Sequence, residues 1–270
     1  GLYPVPVFDD ELEAEVKPQI MPFYACNGPH GERGTWTRIA DGKVWLARGK
    51  QMVEAMNAAA FDFVTFGNHE FDLKEKELQE RLDESQFTWI SSNCFHKQKG
   101  VSSSFTKKNG NDIVQCPKTY ILTMKDADGT QAKIGFFGIT LPFNKADYVG
   151  YIESLSTAKS SYRQLKDSCD AVIAITHQSV EEDEKLAREI PGLAAIIGGH
   201  EHDMRFVKSG NLYITKAHAN ARSAYVITIA IDKKLHSVQV SPELKEIDES
   251  VAFDSAASEA YSLAIEAAAT

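Results

Sequence analysis

Three apolar stretches of this chain run directly into polar clusters rich in histidine. Phe61–Asp72 reads FDFVTFGNHEFD, Asp170–Ser179 reads DAVIAITHQS, and Leu193–Asp203 reads LAAIIGGHEHD. Short continuous apolar runs suit strands covered on both faces, as in a parallel or mixed sheet between layers. A strand that stops at glycine or threonine and opens into nitrogen and oxygen donors is where an α/β fold places its chemistry. The reading to be tested is that these three strand ends converge.

The segments between them alternate accordingly. Lys50–Ala60 has helical periodicity, with Met52, Val53, Met56, Ala59 and Ala60 on one face, and leads into a strand at Phe61–Phe66. Leu73–Glu84 is predicted to be a helix with Leu78 and Leu82 inward, followed by a strand at Phe87–Ser91. Ser92–Asp112 is rich in Ser, Lys, Asn and Gly and reads as an exposed loop or insertion. Thr119–Met124 and Lys133–Thr140 flank the turn Asp126–Gly129 as a hairpin. A helix at Thr157–Ser168, a strand at Ala171–Ile175, a helix at Val180–Ile190 stopped by Pro191, and a strand at Leu193–Ile197 follow. The β segments Leu212–Ala217, Ala224–Ile231 and Ser237–Val240 precede an alanine-rich helix at Ser255–Ala268. Near the start, Leu2–Phe8 reads as a proline-bearing edge strand and Ile20–Ala25 as a short strand before a turn-rich loop. Strand–helix–strand alternation places the chain in the α/β class.

Charge and cysteine content narrow the function. The 270 residues carry a formal net charge of −9, which argues against a nucleic-acid polymer as partner. A phosphate-bearing substrate would need a local positive centre, and a bound cation would provide one. Cys26, Cys94, Cys116 and Cys169 are scattered and form no C-x-x-C pair, so they read as buried or free thiols. No apolar run reaches the roughly 18 residues of a membrane span. The opening GLYPVPVFDD lacks the basic start and unbroken apolar core of a signal peptide, and it does not begin with Met.

Residue types at the strand ends suggest metal ligation. His200 and His202 follow a Gly-Gly pair, which lets the backbone turn sharply and aim both imidazoles at one point. His177 and Asn68 end the other two runs. Imidazole and amide donors suit zinc, manganese and iron. Singly, His177 could be a hydrogen-bonded histidine and Asn68 a helix cap; together they point to one site. His69 cannot easily share a metal with its neighbour Asn68. Asp72, three residues on, is within reach of its ring, so the pair reads either as a general acid with its orienting carboxylate or as a structural hydrogen bond. Glu70 receives no role.

GNHEFD at 67–72, THQ at 176–178 and GGHEH at 198–202 resemble the calcineurin-like metallophosphoesterases, and more closely their 5′-nucleotidase branch. The similarity runs from about Gly49 to Asp248 and is strongest over Arg48–Asp72. It implies a four-layer sandwich of two mixed β-sheets flanked by helices. Residues 1–250 would form the catalytic domain, with 1–48 atypical, and 251–270 a helix connecting to an absent second domain. It assigns Asn68, His177 and His200 to one metal, His202 to a second, His69 to stabilising or protonating the leaving group, and Asp72 to orienting His69. The implied cofactor is one or two divalent transition-metal ions (Zn, Mn or Fe). The implied reaction is in-line attack of a metal-bound hydroxide on a small phosphate ester, of nucleotide or sugar-phosphate type. Relatives in this branch are often exported or periplasmic.

The chain departs from the family near its start. The Asp-x-His motif and the Gly-Asp motif that supplies the bridging carboxylate are both missing in clear form. Asn27, in PFYACNGP, stands where the bridging Asp is expected, Asp9 or Asp10 stands in for the first motif, and His30 is a poor substitute for its histidine. A neutral amide lacks the charge that holds two cations close together. The alternative reading is therefore a non-catalytic relative that binds a ligand or partner through the inherited cleft.

Overall fold

A strand covered on both faces must alternate its side chains between two cores, and the central sheet of this protein does so. The structure is a computed structural model describing residues 35–37, 44–46, 48–142, 146–248 and 250–252, with positions 255 and 259 helical. In chain order the elements begin with β1 (Thr35–Thr37), β2 (Val44–Leu46), α1 (Lys50–Ala58), β3 (Phe63–Val64), α2 (Glu75–Glu84) and β4 (Thr88–Trp89). Next come β5 (Cys94–Gln98), β6 (Val101–Ser103), β7 (Thr106–Asn109), β8 (Asp112–Gln115), β9 (Thr119–Lys125), β10 (Gln131–Thr140) and β11 (Val149–Tyr151). The chain continues through α3 (Ser154–Leu165), β12 (Ala171–His177), α4 (Val180–Glu189), β13 (Ala195–Gly199), β14 (Arg205–Ser209), β15 (Leu212–Lys216), β16 (Ser223–Asp232) and β17 (Ser237–Glu246). Two compact units divide the chain. The larger, Asp62–Asp83 with Phe87–Ala252, contains every candidate site residue that the structure describes.

The main sheet has the order β14-β15-β13-β12-β10-β9. Its four inner strands pair in parallel, while β9 and β14 close the two edges in antiparallel fashion. On one face Phe137, Ile139, Val172, Ala174, Ile196 and Ile214 pack with Ala158 and Leu165 of α3 and Leu186 and Ala187 of α4. On the other face Ile134, Phe136, Ala171, Ile173 and Ala195 meet Phe63, Ile90 and the inward side chains of β16 and β17. Each fully buried Ile or Phe here contributes about 1.5–3 kcal/mol of transfer free energy. The expected mixed α/β organisation, with strands layered against the sheet and helices outside, is present. The parallel pairing aligns Thr140 with His177 and His177 with Gly199. The exits of β10, β12 and β13 therefore lie side by side.

Local chemistry sets most boundaries. The helix expected at Thr157–Ser168 begins earlier, because the Glu153 carboxylate caps it by accepting from Leu155 N at 3.0 Å and Ser156 N at 2.6 Å. A reciprocal Ser179–Glu182 capping box starts α4. β17 continues through Pro242, which is tolerated because the two-stranded β16–β17 ribbon is an edge. Arg205–Ser209 carried no strand signal in the sequence, yet forms edge strand β14 with Phe206 and Lys208 outward.

Ser92–Asp112 is not a loose insertion. β5, β6 and β7 lie within it, and Ser92, Asn93, Cys94 and Phe105 are buried. The Asn93 amide donates to Thr140 O at 2.8 Å and accepts from Thr140 N at 2.9 Å, tying this segment to the end of β10. Its polar composition reflects thin hairpins with much of their surface in water. The expected strands at Leu2–Phe8 and Ile20–Ala25 lie outside the described residues, as does the C-terminal helix apart from positions 255 and 259. No helix among the described residues is long and apolar enough to cross a membrane.

Candidate active site at the strand ends

The loop after β3 is held from below and from within. Phe66 and Phe71, both fully buried, bracket the Gly67–Glu70 turn, and their rings pack at 5.1 Å with Trp89 and Phe105 alongside. Thr140 Oγ1 donates to Phe66 O at 2.7 Å, pinning the strand exit to β10. Glu70 folds back inside the turn and accepts from Gly67 N at 2.6 Å. Burial raises the Glu70 carboxyl above its ordinary range, against the opposing pull of the Gly67 N–H bond. No sequence pattern gave Glu70 this task. His69 Nδ1 lies 2.7 Å from Asp72 Oδ2, and both side chains remain partly open to solvent. A carboxylate at Nδ1 holds the proton on that atom and leaves Nε2 as the position that exchanges one.

Asn68 and His177 meet directly. Asn68 Oδ1 stands 2.8 Å from His177 Nε2, although 109 positions separate them. Gly67 makes the approach feasible, since a Cβ there would sit 2.9 Å from His177 Cε1. The His200 ring packs edge-on against His177 at 5.3 Å. His200 and His202 both adopt positive φ, 96° and 64°, the left-handed region that non-glycine residues enter at a cost. The His202 carbonyl accepts from Ala219 N at 3.0 Å, which fixes that turn to the segment after β15. Desolvation lowers the His177 imidazole to about 3, helped by charge at His200, Lys216, His69 and His202. The ring is therefore neutral, the form in which an imidazole nitrogen can ligate a metal.

Beneath these loops lies a buried charge that sequence reading passed over as part of a strand. Lys216, the last residue of β15, donates to Gln178 O and Gly199 O and lies within ion-pair distance of Asp183 and Glu201. A lysine at the end of an apolar strand was the available signal, because a buried ammonium requires partners.

The structure thus brings Asn68, His177 and His200 together, sets His202 on the same turn as His200, and confirms the His69–Asp72 contact. Among the described residues, no three His, Cys, Asp or Glu side chains by themselves enclose a metal position. Asp9, Asp10, Asn27 and His30 lie outside the described residues. The donors that are present, an amide oxygen and imidazole nitrogens, fit a divalent transition metal.

Fold and site together define an α/β protein with a histidine cluster at the carboxyl ends of adjacent parallel strands, the position of active sites in such sheets. A family model described as calcineurin-like phosphoesterase matches residues 39–204, and the chain belongs to that family. Its relatives include the uncharacterized metallophosphoesterase YunD of Bacillus subtilis, 26% identical over 160 residues, covering 58% of this chain and 31% of that protein. They also include the 5′-nucleotidase of Homo sapiens, 26% identical over 178 residues, covering 63% of this chain and 29% of that protein. The chain thus spans under a third of the length of either relative. Among solved structures, the calcineurin-like phosphoesterase YfkN of Bacillus subtilis superimposes with a TM-score of 0.65 at 17% identity, covering 83% of this chain and 76% of that one. A 5′-nucleotidase precursor from Thermus thermophilus gives 0.62 at 20% identity, covering 82% and 46%. These likenesses show the metallophosphoesterase fold.

Proposed function

We propose that the chain hydrolyses small phosphate esters, with Asn68, His177, His200 and His202 holding one or two divalent transition-metal ions. The observation that carries this reading is the 2.8 Å meeting of Asn68 Oδ1 and His177 Nε2 at the ends of separate strands. An amide oxygen and a neutral imidazole nitrogen that face each other beside a second histidine form a donor set with a use beyond packing. A bound metal would supply Lewis-acid charge at the phosphoryl group and lower the pKa of water beside it. The chain's own residues supply the rest. The protonated His69 ring, oriented through Nδ1 by Asp72, gives a proton from Nε2 to the departing oxygen. Glu70 accepts from Gly67 N and so keeps closed the turn that carries Asn68 and His69. Relatives named 5′-nucleotidase favour a nucleotide as the ester.

A second reading, a ligand-binding relative without turnover, is favoured by Asn27 standing where the family's bridging Asp is expected. Hydrolysis of p-nitrophenyl phosphate and of nucleoside monophosphates, each with manganese or zinc, separates the two. Turnover that needs the metal and is lost in His177→Ala is the expected result. No hydrolysis with any divalent metal between pH 5 and 10 would refute the enzymatic reading.

A further inference from the structure

Lys216 is 1% exposed and surrounded by oxygens from four points of the chain. Its Nζ donates to Gln178 O at 2.5 Å and Gly199 O at 2.9 Å. It also stands 2.9 Å from Asp183 Oδ2 and 2.7 Å from Glu201 Oε2. The positions of these groups matter. Gln178 immediately follows His177, Gly199 immediately precedes His200, and Glu201 lies between His200 and His202. The second Glu201 oxygen accepts from Val180 N at 2.5 Å, and the Gln178 amide donates to Asp183 Oδ1 at 2.9 Å. One ammonium therefore ties the loop after β12, the loop after β13 and helix α4 together. Gly198 leaves room for it, because a Cβ there would lie 2.9 Å from Lys216 Cε.

Packing alone does not account for this group. Burying an ammonium with two carboxylates carries a large desolvation cost, and replacing such clusters by uncharged residues is often neutral or stabilising. Resting on the reading of His177, His200 and His202 as ligands, we propose that Lys216 is a positioning residue for that centre. It sets the spacing between the His177 and His200–His202 loops through the carbonyls next to them, and it holds Glu201 so that the two flanking histidines keep their positive-φ turn. Without that tie the β12–β13 register still sets the two loops side by side, but the carbonyls next to the imidazoles lose the cation they share.

Lys216→Met alone would leave two carboxylates buried without their cation. The informative variant is therefore Lys216→Met combined with Asp183→Asn and Glu201→Gln, which makes the cluster neutral. Two readouts apply: imidazole ¹⁵N resonances of the metal-free protein, and zinc affinity by calorimetry. The expected result is a cooperatively folded protein whose His177 and His200 resonances shift or broaden, with zinc affinity reduced about 10–100-fold. A folded triple variant with wild-type resonances and wild-type affinity would overturn the proposal. If the triple variant does not fold, Glu201→Gln alone decides. It keeps side-chain shape and removes one charge, so altered His200 resonances are expected and unaltered ones overturn the proposal. Should the wild type bind no zinc, the metal reading fails, while the resonances of the metal-free protein still test Lys216.

Discussion

Gly67→Ala is the smallest change that should disassemble the site. A Cβ at Gly67 would lie 2.8 Å from Glu70 Oε2, 2.9 Å from His177 Cε1 and 3.0 Å from His177 Nδ1. Unstrained contacts between such atoms begin near roughly 3.5 Å, so about half an ångström must be recovered from somewhere. If the His177 ring withdraws, its 2.8 Å contact with Asn68 passes the outer limit of a hydrogen bond. If the turn lifts instead, the 2.6 Å bond from Gly67 N to Glu70 is lost. Either route costs about 1–3 kcal/mol, as overpacking does elsewhere. For a chain of this size that lowers the melting midpoint by roughly 2–12 °C. Because the displaced atom is a proposed ligand, zinc affinity should fall by about 10–100-fold. Differential scanning calorimetry and zinc titration read the two effects. A Gly67→Ala protein that melts and binds zinc like the wild type would refute the argument that backbone space at Gly67 lets the two strand ends meet.

Two further outcomes follow from the same geometry. His69→Ala should lower turnover of esters with poor leaving groups by about 10²–10⁴-fold while leaving metal content unchanged, measured by steady-state kinetics beside elemental analysis. Burial pushes the Cys94 and Cys116 thiols up to about 12. Both are protonated in the folded and unfolded chain below about pH 8.5, so their contribution does not vary there. Above that pH only the unfolded chain releases these protons. Stability should therefore fall as pH rises from about 9 towards 12, by about 1.4 kcal/mol per pH unit for each thiol, in urea melts across that range. A flat alkaline limb would show that the thiols ionise in place.

The parts of the site legible in the sequence were those whose residue type announces chemistry. Asn68, His177, His200 and His202 stand out because each follows an apolar run; the parallel register sets the ends of β12 and β13 side by side, and the Thr140 bond to Phe66 O ties the turn that carries Asn68 to β10. Asp72 is legible because a spacing of three suits a one-turn contact, and its Oδ2 lies 2.7 Å from His69 Nδ1. Glu70 works against a backbone group, Gly67 N, which leaves no trace in a sequence. Lys216 joins the Gln178 and Gly199 carbonyls to the Asp183 and Glu201 carboxylates, and its place at the end of an apolar strand is its one signal. Strand Arg205–Ser209 was hidden because an edge strand needs only one covered face. The segment from Ser92 hides its structure because a few buried residues, Asn93, Cys94 and Phe105, anchor a stretch that is otherwise mostly polar.

The central claim is that three strand ends form one metal centre. Metal content per chain, measured after reconstitution with zinc or manganese and removal of excess, tests it most directly when wild type, Asn68→Ala and His177→Ala are compared. At least one tightly held ion per wild-type chain is expected, and its loss in both variants. A wild-type chain that retains no metal, or variants that retain as much as the wild type, would contradict it.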